Sequence, residues 1–199
     1  SATNTPPAVI AFRGKSSAGK SHVSRVFQNI LETDKMIVMR CNFGDAIKEL
    51  AILMFCTLYK DIDAQKYFYN PLFKGVPLVK SSSPSGRHFM QTFGTNICRE
   101  ILGNDIWINI WKARVLTSLS DVILTEDLRF KNELKAIKLM HADVIHVIRD
   151  DLVYEEKHKH VSETQLDGIE YGFKLYNNKN KTDTEIAHDL VAILLRNTD

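Results

Sequence analysis

Gly14-Lys15-Ser16-Ser17-Ala18-Gly19-Lys20-Ser21 is the stretch from which the rest of the chain is read. It fits G-x-x-x-x-G-K-[ST] at every fixed position. It lies between a short apolar run, residues 8–12, and a helical stripe carrying Val23, Val26, Phe27, Ile30 and Leu31. A strand before and a helix after are the context this motif needs. Glycines let the loop curl so that backbone N–H groups point at a phosphate, and the helix presents its positive end to the same anion. Lys20 is then expected to reach the β- and γ-phosphates of ATP and the Ser21 hydroxyl to ligate Mg²⁺, with Gly14, Ser17, Ala18, Gly19 and His22 completing the cradle. A chance match occurs in about 1 chain of this size per 100. Nucleotide binding is the first expectation.

Outward from the loop, short β-like runs alternate with helical stripes. Strands are expected at 8–12, 36–41, 122–125 and 143–148, and a short fifth at 173–176. Helices are expected at 21–31, 45–58 and 132–140, and helical spacing also marks Phe89, Met90, Phe93 and Ile97, then Ile106, Trp107, Ile110 and Trp111. The last helix opens at Thr182 with Glu185 three residues on, a capping box. Strands alternating with helices imply an α/β three-layer sandwich around a five-stranded, mostly parallel sheet of the P-loop NTPase kind. Residues 1–199 are expected to form a single domain, with an excursion over about 60–87.

Composition narrows the class. The chain has 199 residues, is 44% hydrophobic and 25% charged, and carries a formal net charge of +2. That charge is too small to argue for stable nucleic-acid binding or a membrane surface. Three cysteines without a C-x-x-C pair do not read as a zinc or disulfide framework. No apolar run approaches the length of a membrane span, so a cytoplasmic location is expected.

Two further segments carry chemistry. Leu124-Thr125-Glu126-Asp127-Leu128-Arg129-Phe130 puts an acidic pair at the carboxyl end of a core strand, where ligands collect in this class of fold. Asp127 can hold a Mg²⁺ water or position an acceptor hydroxyl, and Arg129 can neutralise phosphate charge, so Lys20, Asp127 and Arg129 are the catalytic candidates and Ser21 and Asp127 the metal candidates. Asn180-Lys181-Thr182-Asp183 matches the guanine-reading N-K-x-D element, but no D-x-x-G accompanies it and a capping turn explains the same residues.

With these residues in view, the chain resembles the deoxynucleoside monophosphate kinases of large DNA bacteriophages and related viruses. The P-loop is one shared block. Arg87-His88-Phe89-Met90-Gln91-Thr92-Phe93-Gly94-Thr95, followed by Arg99 and Asp105-Ile106-Trp107, is similar to a second. Asp127-Leu128-Arg129-Phe130-Lys131-Asn132-Glu133 is similar to a third, and His160-Val161-Ser162-Glu163 to a fourth, with Asn177-Asn178 at the family's late asparagine turn. The resemblance implies transfer of the γ-phosphoryl of ATP to a deoxynucleoside monophosphate, in a homodimer. By position, Lys15, Lys48 and Arg87 would hold the acceptor phosphate, Gln91, Gly94, Thr95 and Trp107 would line the nucleoside pocket, Arg99 would be a further substrate contact, and Glu133 would close the site with Asp127 and Arg129. Trp107 remains open between a base-stacking wall and the core, and Lys48 and Arg99 between ligand contacts and solvated helix charges. Lys157-His158-Lys159-His160 reads as part of a lid over about 150–165. The competing readings are a small-molecule kinase of the phosphomevalonate type and a P-loop ATPase without a small acceptor.

Overall fold

Apolar runs too short to be helices and rich in Val and Ile pair as five parallel strands in the computed structural model, which describes residues 6–58, 63–70, 72–78, 84–152 and 161–196. They are β1 (Ala8–Arg13), β2 (Val38–Arg40), β3 (Val122–Thr125), β4 (Asp143–Ile148) and β5 (Phe173–Tyr176), in the order β2-β3-β1-β4-β5. β1 is therefore central, with β3 on one side (Ile10 opposite Leu124) and β4 on the other (Phe12 opposite Ile145). The chain fills one half of the sheet before crossing to the other, and the loop after β1 emerges where the two halves part. Ligands of open α/β sheets collect at such a point.

Successive strand residues face opposite ways. On one face Ile10, Phe12, Val122, Leu124, Ile145, Val147 and Leu175 pack with Val23, Phe27 and Leu31 of α1 (Lys20–Thr33) and with Ile186, Leu190 and Ile193 of α9 (Asp183–Arg196). Each fully buried Phe or Leu contributes about 1.5–3 kcal/mol. On the other face Val9, Ala11, Ile123 and Val144 are equally buried, so the sheet is covered on both sides. α9 starts as its sequence indicates: Thr182 N–H donates to Glu185 Oε2 at 2.7 Å and Glu185 N–H to Thr182 Oγ1 at 3.2 Å. α7 (Lys131–Leu139) buries Leu134, Ala136 and Ile137.

Phe43–Trp111 forms a second compact unit, distinct from the sheet-bearing remainder of the described chain. It holds α2 (Asp45–Leu58), α3 (Ala64–Tyr69), α4 (Gly86–Phe89), α5 (Arg99–Leu102) and the start of α6 (Ile106–Leu116), which runs on past the unit. Its interior is aromatic: Phe89 stacks on Phe93 at 5.2 Å and meets Phe55 and Phe68 edge-on. Between α4 and α5, Met90–Cys98 is π-helical. Phe89, Phe93 and Ile97 recur every four residues, a repeat that a 3.6-residue turn and a wider one both accommodate, so sequence spacing alone reads it as ordinary α-helix. No helix among the described residues is long and apolar enough to cross a membrane.

Candidate active site

The loop after β1 is built and held in its ligand-ready curl by its own lysine. Gly14 (φ +144°), Ser17 (φ +65°) and Gly19 (φ +88°) supply the turns. Lys20, first residue of α1, arches back so that Nζ donates to the carbonyls of Gly14 at 2.7 Å and Lys15 at 2.9 Å. Its cation is thus held across the loop by two backbone carbonyls. Ser21 and His22 follow in the first turn of α1, both exposed, and Ala18 is buried beneath them. The ATP-cradle residues of the sequence reading therefore lie together at one end of the central strand.

Other elements clamp this loop. Arg13, only 4% exposed, ends β1 and donates through its guanidinium to the carbonyls of Leu166 (2.8 Å) and Ile169 (2.7 Å). Lys15 pairs with both carboxylate oxygens of Asp167 at 2.6 and 2.7 Å in the turn that Arg13 grips. On the other flank Asn177 Nδ2 donates to Ala18 O at 3.0 Å, and His22 Nε2 lies 2.7 Å from Asp183 Oδ1. Within the N-K-x-D element, Lys181 donates to Tyr176 O and Asp189, Thr182 caps α9 and Asp183 meets His22, so its side chains serve local structure.

At the end of β3, Thr125 Oγ1 donates to Cys41 O at 2.8 Å, and Glu126 N–H to Asn42 Oδ1 at 2.7 Å. Arg40 Nη1 lies 3.3 Å from Glu126 Oε1, and its Nε donates to Gln28 at 2.9 Å. That ion pair is Coulombic only. Oε1 is buried with no hydrogen bond aligned to it. Asp127 and Arg129 follow, both half-buried. Glu133, 2% exposed, turns inward: Oε2 accepts from the backbone N–H groups of Arg129 and Phe130, each at 2.9 Å. It shapes the loop that carries Asp127 and Arg129.

The remaining acceptor candidates lie in the helical unit. Lys48 pairs with Asp45 at 3.2 Å and sits 5.0 Å from the Tyr69 ring centroid. Arg87 is exposed, Gln91 half-buried, and Gly94 and Thr95 fall within the π-helical stretch. Trp107 is 5% exposed, with its indole N–H donating to Gly94 O at 3.0 Å, and Arg99 is 8% exposed. The basic residues 157–160 lie outside the described residues, as does half of the lid-like segment, 153–160.

Arg13, Asp167, Asn177, Asp183 and Glu126 were not singled out as site residues from sequence. Asn177 and Asp183 stand in the asparagine turn and the N-K-x-D element; Arg13 and Asp167 lie in no motif, and their contacts, with Leu166 and Ile169 and with Lys15, span separations no local pattern reports.

Beside Arg13 in register on β4 is His146. Burial, then the charges of Arg13 and Lys174, lower its pKa from 6.5 to about 4, against the opposing pull of Glu170 and Asp167. The unfolded chain takes this proton near pH 6.5 and the folded chain near pH 4, so between them the unfolded state binds more protons. The stability contributed by neutral His146 is complete above about pH 6.5 and declines as pH falls toward 4. After solvent screening the loss is about 1–2 kcal/mol. Melting midpoints at pH 7.5 and pH 5 should therefore differ more in the wild type than in His146→Gln, and equal differences would remove His146 as the cause.

No curated protein matches the chain in sequence. TT1252 from Thermus thermophilus is 11% identical, with 98% of this chain and 100% of that one covered and a TM-score of 0.52, a likeness of fold alone. The APS kinase CysC of Mycobacterium tuberculosis is 10% identical over 96% of this chain and 98% of that one, at a TM-score of 0.49. A gluconokinase from Sinorhizobium meliloti is 14% identical over 96% and 93%, at 0.45. Residues 28–184, most of the chain, match the profile of one family of nucleotide-phosphorylating enzymes. The chain belongs to the deoxynucleotide monophosphate kinase family.

Proposed function

We propose that this P-loop kinase takes ATP with Mg²⁺ as donor and a deoxynucleoside monophosphate as acceptor, and that Lys20, Asp127 and Arg129 carry the transfer. The observation behind this is the lysine already bridging Gly14 and Lys15 at the end of the central strand. On binding, Lys20 Nζ exchanges those carbonyls for β- and γ-phosphate oxygens, and the loop N–H groups take the rest of the negative charge. Arg129 offsets charge on the moving phosphoryl group, and Asp127 orients the attacking phosphate oxygen or a metal-bound water.

The donor set suits Mg²⁺. Ser21 Oγ and the Glu126–Asp127 carboxylates are hard oxygen ligands, and Glu126 Oε1 is buried with no hydrogen bond among the described residues, the charge close to it being Arg40 at 3.3 Å. Mg²⁺ takes one or two protein oxygens beside phosphates and water, and it neutralises charge on the transferring group. Ser21 and Asp127 are the residues we assign to hold it.

On the acceptor side we assign Lys15, Lys48 and Arg87 to the phosphate, Gln91, Gly94, Thr95, Arg99 and Trp107 to the nucleoside, and Glu133 to the loop that closes over it. Residues 1–199 act as one kinase domain in this reading, of the phage or viral type and cytoplasmic, with a lid over about 150–165. A homodimer would cover the apolar side chains that α2 exposes, Leu50, Leu53 and Met54.

The test offers each deoxynucleoside monophosphate with ATP and Mg²⁺ and measures ADP and diphosphate together. Matched appearance of both is expected. ADP without diphosphate from any acceptor means an ATPase, and phosphorylation of another small acceptor instead means a different kinase. In the active pair, Arg87→Ala should raise the KM for the monophosphate about 10- to 150-fold, with that for ATP little changed, because a charge-assisted bond to phosphate is lost. Equal effects on both substrates would take Arg87 out of the acceptor site.

A further inference from the structure

The strand that ends the sheet also sets the shape of the phosphate loop. Backbone N–H of Asn177 donates to Ile148 O at 2.8 Å, extending the β4–β5 ladder one residue past Tyr176. The Asn177 side chain is therefore carried by the sheet rather than by a free loop. Its Nδ2 donates to Ala18 O at 3.0 Å. It also closes directly on Gly19, where a Cβ would lie 2.3 Å from that same nitrogen. Four residues on from the amide contact with the loop, the His22–Asp183 pair joins the first turn of α1 to that of α9.

We propose that Asn177 is a positioning residue of the nucleotide cradle, acting through the Ala18–Gly19 peptide. A peptide unit is planar and trans, so its carbonyl and its N–H point in opposite directions. Holding Ala18 O toward Asn177 turns the Gly19 N–H the other way, away from the strand and toward the ligand side. If the peptide flipped, a carbonyl dipole would face the phosphate in place of an N–H, reversing the sign of one contact in the cradle. Asn suits this position because its amide nitrogen donates. Asp is nearly isosteric but presents oxygen to the Ala18 carbonyl and adds negative charge beside the anion site. The Asn177 amide touches no phosphate itself, and its effect travels through the backbone of the loop.

The inference rests on ATP occupying this loop. The test titrates ATP directly into full-length wild type, Asn177→Asp and Asn177→Ala, then measures KM for each substrate and the melting midpoint. Asn177→Ala should bind ATP about 5-fold more weakly, the scale of one lost hydrogen bond. Asn177→Asp should bind it about 30-fold or more weakly, since repulsion replaces attraction. KM for the monophosphate should stay within about twofold in both. A residue that only supports the fold would lower the melting midpoint and move both substrates together, or neither. If Asn177→Asp fails to fold, Asn177→Ala and its ratio of ATP to acceptor effects decide. Wild-type binding of ATP with an unchanged, folded variant overturns this inference alone. Failure of the wild type to bind ATP overturns both it and the assignment of donor.

Discussion

Replacement of Lys20 by alanine should cut turnover about 10²–10³-fold, the scale seen when one preorganised donor to a developing charge is removed. Lys20 Nζ is held between two backbone carbonyls, 2.7 and 2.9 Å away, on a loop fixed by Arg13 on one flank and Asn177 on the other. In the proposed reaction its stabilisation grows as charge accumulates on the transferred phosphoryl group, which places the expected loss in kcat more than in ATP affinity. The side chain spans the loop mouth rather than the core, and the melting midpoint should change little. Single-turnover rates with saturating ATP and acceptor measure the effect. A folded Lys20→Ala protein with near-normal turnover would contradict the P-loop as the donor site.

A larger effect on the loop itself is expected from Gly14→Ala. Gly14 sits at φ +144°, a conformation L residues rarely adopt, and an added Cβ would lie 2.3 Å from Val147 O and 3.3 Å from Val147 C. Those atoms belong to the backbone of β4, within a paired ladder, and cannot step aside as a flexible side chain could. Strain and overpacking together cost about 2–5 kcal/mol. Whatever part of that cost the protein relieves, it relieves by pushing the loop off the strand, so ATP binding should weaken by about 100-fold or more. Denaturant unfolding and ATP titration read the two consequences separately. Unchanged values in both would mean that the loop tolerates a second conformation.

Much of this architecture is written in short-range pattern. Val122–Thr125, Asp143–Ile148 and Phe173–Tyr176 appear in the sequence at the bounds the structure gives them, because each is a β-branched or aromatic run bracketed by helix or turn residues. The expected strand at 36–41 narrows to Val38–Arg40, the residues in register with β3, while Ile37 and Cys41 each share one backbone hydrogen bond with that strand. The nucleotide loop is legible because its chemistry needs fixed residues at fixed spacing. What stays hidden lies at long separation. Arg13 meets Leu166 and Ile169, and Asn177 meets Ala18, contacts that depend on which strands become neighbours. The shared motif places Glu133 with Asp127 and Arg129, but that its buried Oε2 accepts from the backbone N–H groups of Arg129 and Phe130 is visible only in the structure.

The central place of β1 also has a consequence for how the protein is made. β1 is made well before both neighbours that hydrogen-bond to it, because β3 and β4 begin only at Val122 and Asp143. At ordinary elongation rates of about 5–20 residues per second, the intervening chain takes roughly 5–25 s to synthesise. Through that interval α1 can shelter the Ile10 and Phe12 side, being next in sequence and packed there in the finished fold. Val9, Ala11 and both hydrogen-bonding edges of the strand remain uncovered until the second half of the sheet is translated. The nascent chain is thus open to mispairing at β1 through this interval, and a translational pause before Val122 prolongs that exposure.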